Sequence, residues 1–277
     1  MSSHARIDGL TSHAQVHPTP EALEIEELRG IAGAQEVEAL QRKIWSADDA
    51  WIVPSHALLI VSEYGGVLLG ARVGDDLAGF VLGFLARQDG TLFHASHMLG
   101  VLPTSQLRGI GAALKWRQRD AALAQGLDLM RWTFDPLESR NAYFNLHKLG
   151  AICATYRTDY YGPMQDGLNR DLPSDRLLVE WRLREPGVSQ SRDAVRTILR
   201  DREGTPEMTI DGTLPDGPVG IQIPRDLQAI KRESPDLALA WRLAVRAAFI
   251  GAFAQGYVAC DFRDGAYVLR PGKELLQ

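Results

Sequence analysis

Val101-Leu-Pro-Thr-Ser-Gln106-Leu-Arg-Gly109-Ile-Gly111-Ala112 joins an apolar run to a stretch of helical spacing. Leu92 to Leu102 reads as a strand, and Pro103 ends it. Ile110, Ala113, Leu114, Ala121 and Ala124 mark one face of a helix from Ile110 to Gln125. Glycines at 109 and 111 let backbone N–H groups approach an anion with no side chain in the way. The helix starting there adds its unpaired N–H groups and the positive end of its dipole. A strand, a glycine loop and a helix N-terminus in that order form a candidate pyrophosphate site. The spacing is neither a dinucleotide-binding GxGxxG nor a P-loop, since no Gly-Lys-Ser/Thr follows.

Upstream, Leu23 to Leu28 reads as a first strand, and Val37, Leu40, Gln41 and Ile44 recur at helical spacing up to Trp45. A second helix is predicted from Pro54-Ser55-His56 to Gly65-Gly66. Val67 to Val73 and Leu77 to Ala86, separated by Gly74-Asp75-Asp76, read as a β-hairpin. Downstream, Leu127 to Phe134 is a strand stopped by Asp135-Pro136. Ser139 then caps a helix carrying Ala142, Leu146 and Leu149, closed by Gly150. Ala151 to Tyr156 and Leu177 to Leu183 are two more strands, joined by a polar loop from Asp159 to Asp175.

Composition shifts at Glu185-Pro186-Gly187, and residues 187 to 218 carry many charges, glycines and prolines. A second unit is expected beyond: a strand at Val219 to Ile223, a long helix at Leu237 to Gln255, and strands at Tyr257 to Phe262 and Ala266 to Leu269. That helix is too apolar to stand in water alone, so it should pack on the first unit or on a partner chain. The expected division is a flexible tail at 1–22, a first domain at 23–185 and a smaller domain at 186–277 that helps shape the acceptor side. Ala113-Leu-Lys-Trp-Arg117 before Gly126 and Ala238-Leu-Ala-Trp-Arg242 before Gly256 echo each other, as helix–glycine–strand junctions commonly do.

The 277 residues are 45% apolar and 23% charged, the proportions of a globular chain. The net charge of −5, with no basic stripe, argues against nucleic acid as a partner. Runs such as Leu77 to Ala86 fall short of the roughly 18 residues that span a bilayer, so no membrane partner is expected. Two distant cysteines, Cys153 and Cys260, offer neither a disulfide framework nor a cysteine metal site. A cytoplasmic protein without a metal is the expectation.

With these elements in order, the chain resembles the GCN5-related N-acetyltransferases, which transfer acyl groups from coenzyme A thioesters. Gln106-Leu-Arg-Gly109-Ile-Gly111 fits their Gln/Arg-x-x-Gly-x-Gly/Ala loop, and Val101-Leu-Pro103 fits the Val-x-Pro found upstream in many members. The similarity covers about residues 23 to 185. It implies a mixed-sheet α/β (α+β) fold and acetyl-CoA or another acyl-CoA, such as succinyl-CoA, as cofactor. The implied cofactor contacts are Leu99, Val101, Gln106, Leu107, Arg108, Gly109, Ile110, Gly111, Ala112, Ser139 and Asn141. Arg108, Lys115 and Arg140 are candidate partners for its phosphates. The whole chain also resembles a less characterised two-domain branch, through Ser96-His-Met-Leu-Gly-Val-Leu-Pro103, Thr133-Phe-Asp-Pro136 and Ile223-Pro224 through Trp241-Arg242. Some relatives lie beside enzymes acting on N-acylated amino acids, so both acetyl and succinyl donors stay open.

Many members carry Asn-x-x-Ala-x-x-x-Tyr-x-x-x-Gly on the next helix, where the tyrosine protonates the departing thiolate. Counted back from Gly150, the alanine is Ala142, but the asparagine position is Ser139 and the tyrosine position is Leu146. Tyr143 is the candidate acid, with Asn145, Tyr160 and Tyr161 as others. His97, four residues before Val101, stands about where relatives place a base, and histidine titrates in the right range. His94 has the opposite strand parity and should face away unless a bulge intervenes. The expected reaction acylates a small-molecule amine or amino-acid substrate by direct attack, and a homodimer is left open. A non-catalytic acyl-CoA binder or sensor, and an interaction protein using only the fold, stand as the competing classes.

Overall fold

A computed structural model describes residues 23–45, 51–164, 172–185, 187, 194–210 and 212–275, with the side chains of 106–108 and 274 left out. The expected tail at 1–22 lies outside these residues. Strand β1 (Leu23–Glu27) leads into α1 (Gly30–Trp45), which buries Ala34, Val37, Leu40 and Gln41 at helical spacing. The Gln41 side chain is wholly buried because it is paired: its amide donates to the Val53 carbonyl at 3.0 Å and accepts from Val53 N–H at 2.9 Å. That clamp sets the start of α2 (Ser55–Glu63). Strands β2 (Val67–Val73), β3 (Asp76–Gln88) and β4 (Thr91–Val101) form an antiparallel meander, turning at Gly74 with φ +61°.

After β4 come a 3-10 turn (Pro103–Arg108), α3 (Ile110–Ala124) and β5 (Leu129–Phe134). Then follow α4 (Ser139–Ala142), prolonged by a π-turn (Tyr143–Lys148), and strands β6 (Ile152–Arg157) and β7 (Arg176–Arg182). Gly150 closes the helical segment with φ +72°, the left-handed conformation the sequence asks of it. The helices cover both faces of the sheet. Helices α1 and α2 pack with Leu68, Phe80 and Leu82, while Ile110 and Leu114 of α3 pack with Leu69, Ala71 and Val81.

Beyond residue 186 lie β8 (Arg196–Arg202), β9 (Thr205–Met208), β10 (Val219–Gln222), α5 (Leu227–Glu233), α6 (Pro235–Ala254), β11 (Tyr257–Arg263) and β12 (Ala266–Pro271). The β8–β9 hairpin and α5 are additions to the sequence reading. Among the described residues the strands make one twelve-stranded sheet, in the order β1-β2-β3-β4-β5-β7-β6-β11-β12-β10-β8-β9. The two halves meet where β11 pairs β6 at Ala259 and Cys153.

One hydrophobic cluster serves both halves. It holds Met130, Phe134, Leu146, Leu177 and Val179 together with Ile221, Trp241, Val245, Phe249 and Tyr267. By length and composition α6 could cross a membrane, contrary to the short apolar runs picked out in the sequence. Here its Trp241, Val245, Ala248, Phe249 and Ala252 are core residues. Its two arginines are anchored as well, Arg242 to Asp135 and Arg246 to Asp175.

Candidate active site

The sheet opens between β4 and β5. Their parallel ladder holds only His94–Met130 and Ala95–Arg131. Beyond that point β4 runs on to Val101 against β3, while β5 runs on to Phe134 against β7. The cleft arises because β4 and β5 each follow a different neighbour.

A bulge in β4 decides what faces the cleft. Leu82 pairs with Met98 but Gly83 pairs with Ser96, so His97 is the extra residue. Phe93, Ala95 and His97 line a cavity of about 300 Å³ on one face of the sheet. After the bulge the alternation inverts. Met98 packs toward α1 and α2, and Leu99 and Val101 pack toward α3. His94 is buried on the α3 face, so the two histidines point to opposite sides despite the bulge.

His97 is exposed at the cavity wall, its ring 6.2 Å from that of Phe84. The protein mass around it lowers its pKa from the ordinary histidine value. Trp132 and Thr133 of β5 face it, and Tyr160 and Tyr161 reach in from the β6–β7 loop. The Tyr161 hydroxyl lies 3.1 Å from Thr133 Oγ1. Among the described residues no carboxylate lines this cavity, whereas Arg131 and Arg157 do. All its lining residues fall between Phe84 and Leu178. Among the described residues, none of the C-terminal ones lines it.

Their contribution comes through the loop. Arg246 of α6 donates from Nε and Nη2 to Asp175, both at 2.8 Å. Asp175 in turn accepts from Asp159 N–H at 2.9 Å and from the Tyr156 hydroxyl at 2.7 Å. Burial works against ionisation of Asp175, but Arg246 and the other donors outweigh it and hold its pKa down. The segment that presents Tyr160 and Tyr161 is thus braced from α6.

At the other end of β4 the chain enters α3 through Gly109, with φ +74°. A side chain there would be strained in any rotamer, which makes Gly109 the position where glycine is required. Gly111 differs: an added Cβ would make ordinary contacts with Leu99 and Val101 at 3.8 and 3.9 Å. Its absence leaves the backbone open next to those side chains. The N–H groups of Ile110, Gly111 and Ala112 belong to the first turn of α3, where intrahelical acceptors are lacking. The donor set suits a pyrophosphate. The backbone of Gln106, Leu107 and Arg108 forms the turn before Gly109.

Three candidates land elsewhere. Lys115 is buried beneath the sheet with its Nζ 2.8 Å from Ser96 Oγ, so it is not a phosphate partner at the helix surface. Tyr143 is exposed and stacks on His147 at 4.6 Å, beside β11, where His147 Nδ1 meets Asp261 Oδ1 at 2.8 Å. It is not among the residues lining the cavity of His97. The Ser139 hydroxyl donates to the Arg225 carbonyl at 3.3 Å, across to the C-terminal half. Asn141 and Arg140 are exposed on α4, and Leu146 is buried in the shared core. Cys153 is inert, its thiol pushed up to about 12 by burial. Among the described residues no group of side chains could hold a metal.

This strand order, with a parallel β4–β5 pair that splays and a glycine turn into α3, settles the architecture. Over about 60% of the chain the arrangement is similar to the fold of the GCN5-related N-acetyltransferases. Solved structures of that fold align with it. The ribosomal-protein-S18-alanine N-acetyltransferase from Escherichia coli does so at 14% identity and TM-score 0.47, over 61% of this chain and 99% of its own. An acetyltransferase of the GNAT family from Streptococcus pneumoniae gives 17% and 0.47, over 57% and 98%. The yncA protein from Salmonella typhimurium, with its cofactor acetyl-CoA, gives 18% and 0.46, over 61% and 99%. No protein-family model and no curated protein matches the sequence.

Proposed function

We propose that the protein is an acyl-CoA-dependent N-acyltransferase acting on the amine of a small molecule such as an amino acid. The observation that carries this reading is that β4, parting from β5 after Ala95, bears His97 at the cavity and leads through the Gly109 turn into the N-terminus of α3. Acyl-CoA would be held at its phosphates by the first-turn N–H groups of α3, and would supply an activated thioester. In this reading the backbone of β4 near Leu99 orients the acyl carbonyl, an oxyanion-type role. His97, whose pKa the surrounding protein lowers, takes the proton from the attacking ammonium. Arg131 and Arg157 at the cavity suit an amine that also carries an anionic group. Acetyl and succinyl are both candidate donors.

The buried Leu146 favours a second reading, a non-catalytic acyl-CoA binder, because that helix position offers no proton donor. Free-thiol release from acetyl-CoA or succinyl-CoA with a panel of amino acids separates the two. The acyltransferase releases thiol and forms the N-acyl product, whereas a binder is stabilised by CoA and releases none.

A further inference from the structure

We propose that Ser96 and Lys115 form a proton conduit that delivers a proton into the β4–β5 cleft, to the leaving sulfur of acyl transfer; this rests on the acyltransferase reading above. Lys115 is 1% exposed, and among the described residues no carboxylate pairs with it. Its Nζ donates to Ser96 Oγ at 2.8 Å and Gln118 Oε1 at 3.3 Å, lies 3.5 Å from Met130 Sδ, and sits 3.7 Å from the centre of the Trp132 ring. Two oxygens, a sulfur and a π face suit an ammonium. Burying that charge without a counterion is costly, and an apolar side chain would fill the space more cheaply.

The location gives the cost a use. Ser96 on β4 and Met130 and Trp132 on β5 flank the point where the ladder ends, and Lys115 reaches it from α3. Ser96 and Trp132 also line the cavity on the opposite face. Ser96 therefore stands between Lys115 and the cavity, with its hydroxyl on the Lys115 side. It now donates to Gln118 Oε1 at 2.9 Å, and rotation about one bond re-aims it. Helix α4 offers no rival, since Leu146 is in the core and the Asn145 amide accepts from Trp132 Nε1 at 3.2 Å.

The step balances. The Ser96 O–H bond breaks as an S–H bond forms on the departing thiolate. Lys115 Nζ gives a proton to Oγ and is left as a neutral amine, which solvent reprotonates once products leave. Burial lowers the Lys115 pKa well below that of an ordinary lysine, which makes it a stronger acid. The titratable group facing Lys115 from the packed elements is His94 on β4, itself held neutral by burial. Gln118 on its own helix and Met130 and Trp132 on β5 carry no charge.

Ser96→Ala and Lys115→Met are expected to lower kcat by about 10- to 100-fold, with KM for acyl-CoA and the melting temperature little changed. Both should flatten the alkaline fall in rate that a required ammonium produces. Lys115→Arg keeps the charge but cannot release a proton, so it should not restore the rate. Wild-type kcat and an unchanged pH profile in Ser96→Ala, a variant that keeps Lys115 in place, would overturn the conduit, as would full rescue by Lys115→Arg. An activity-free readout is the NMR titration of Lys115 in ¹³Cε-lysine protein, bound to CoA or to desulfo-CoA. The conduit predicts different midpoints for the two, and equal midpoints overturn it. If the wild type releases no thiol with any donor, the acyltransferase reading fails by that assay, and the desulfo-CoA comparison still decides the conduit.

Discussion

Arg242 of α6 grips Asp135 of the β5–α4 turn through both carboxylate oxygens, at 2.8 and 2.6 Å. Burial works against the charge on Arg242, but Asp135 outweighs it and raises its pKa. Arg176 adds a second cation 3.6 Å from the same carboxylate, and the Tyr267 hydroxyl donates to the Pro136 carbonyl one residue on. The turn at the end of β5 is thus fastened by Arg176 of β7 and by two residues more than a hundred positions away, Arg242 and Tyr267.

Removing one partner leaves the other charge buried and unpaired. Asp135→Ala or Arg242→Met should cost about 3 to 5 kcal/mol in urea unfolding. The double variant should recover part of that loss, and strictly additive single losses would show that the pair is not coupled.

The second arginine of α6 acts on the acceptor side. Arg246→Met removes the brace on Asp175 and frees the segment bearing Tyr160 and Tyr161. KM for the acceptor should rise several-fold, while the Kd for CoA measured by calorimetry stays unchanged. A uniform loss of both would place the effect in global stability instead.

The two glycines of the loop should separate. Gly109→Ala forces a side chain into a left-handed backbone at φ +74° and should cost about 1 to 2 kcal/mol of stability. Gly111→Val should leave stability nearly intact yet weaken CoA binding at least about tenfold, on the order of 1.4 kcal/mol. Full CoA affinity in Gly111→Val would remove the phosphate site from this loop.

His94 should make stability fall in acid. Burial is the main cause that lowers its pKa from 6.5 to about 4, with the Lys115 charge adding to it, and neither ring nitrogen has a hydrogen-bond partner. Between those two values the unfolded chain binds the proton and the folded chain does not. The contribution is therefore fully present above pH 6.5 and is lost as pH falls toward 4, amounting to roughly 3 kcal/mol. Unfolding free energies at pH 7 and pH 4.5 should differ by much of this amount in the wild type and by clearly less in His94→Phe.

The sequence carried the site's frame where local chemistry decides structure. Gly74, Gly109 and Gly150 mark left-handed turns, and the spacing from Ile110 onward marks α3. It concealed β8 because that strand lies near the sheet edge, where Arg196, Arg200 and Arg202 alternate with solvent and mask Ile198 and Leu199. It also misplaced Lys115. A lysine one turn into a helix reads as surface charge, and only the fold brings Ser96, Gln118 and Trp132 around it. The β4 bulge, which turns His97 to the cavity and Leu99 to α3, depends on pairing with β3 and has no local mark.

The central claim rests most directly on thiol release. Purified protein is mixed with acetyl-CoA or succinyl-CoA and individual amino acids across pH 5 to 9, in wild type and His97→Gln. The account predicts thiol release matched by N-acylated product, with kcat/KM rising through an apparent pKa below 6.5, because the protein around His97 lowers its pKa and the base must be neutral. His97→Gln should lose about 10²- to 10⁴-fold in turnover and keep its affinity for CoA. Stabilisation by CoA with no thiol release for any donor and acceptor at any pH would contradict it.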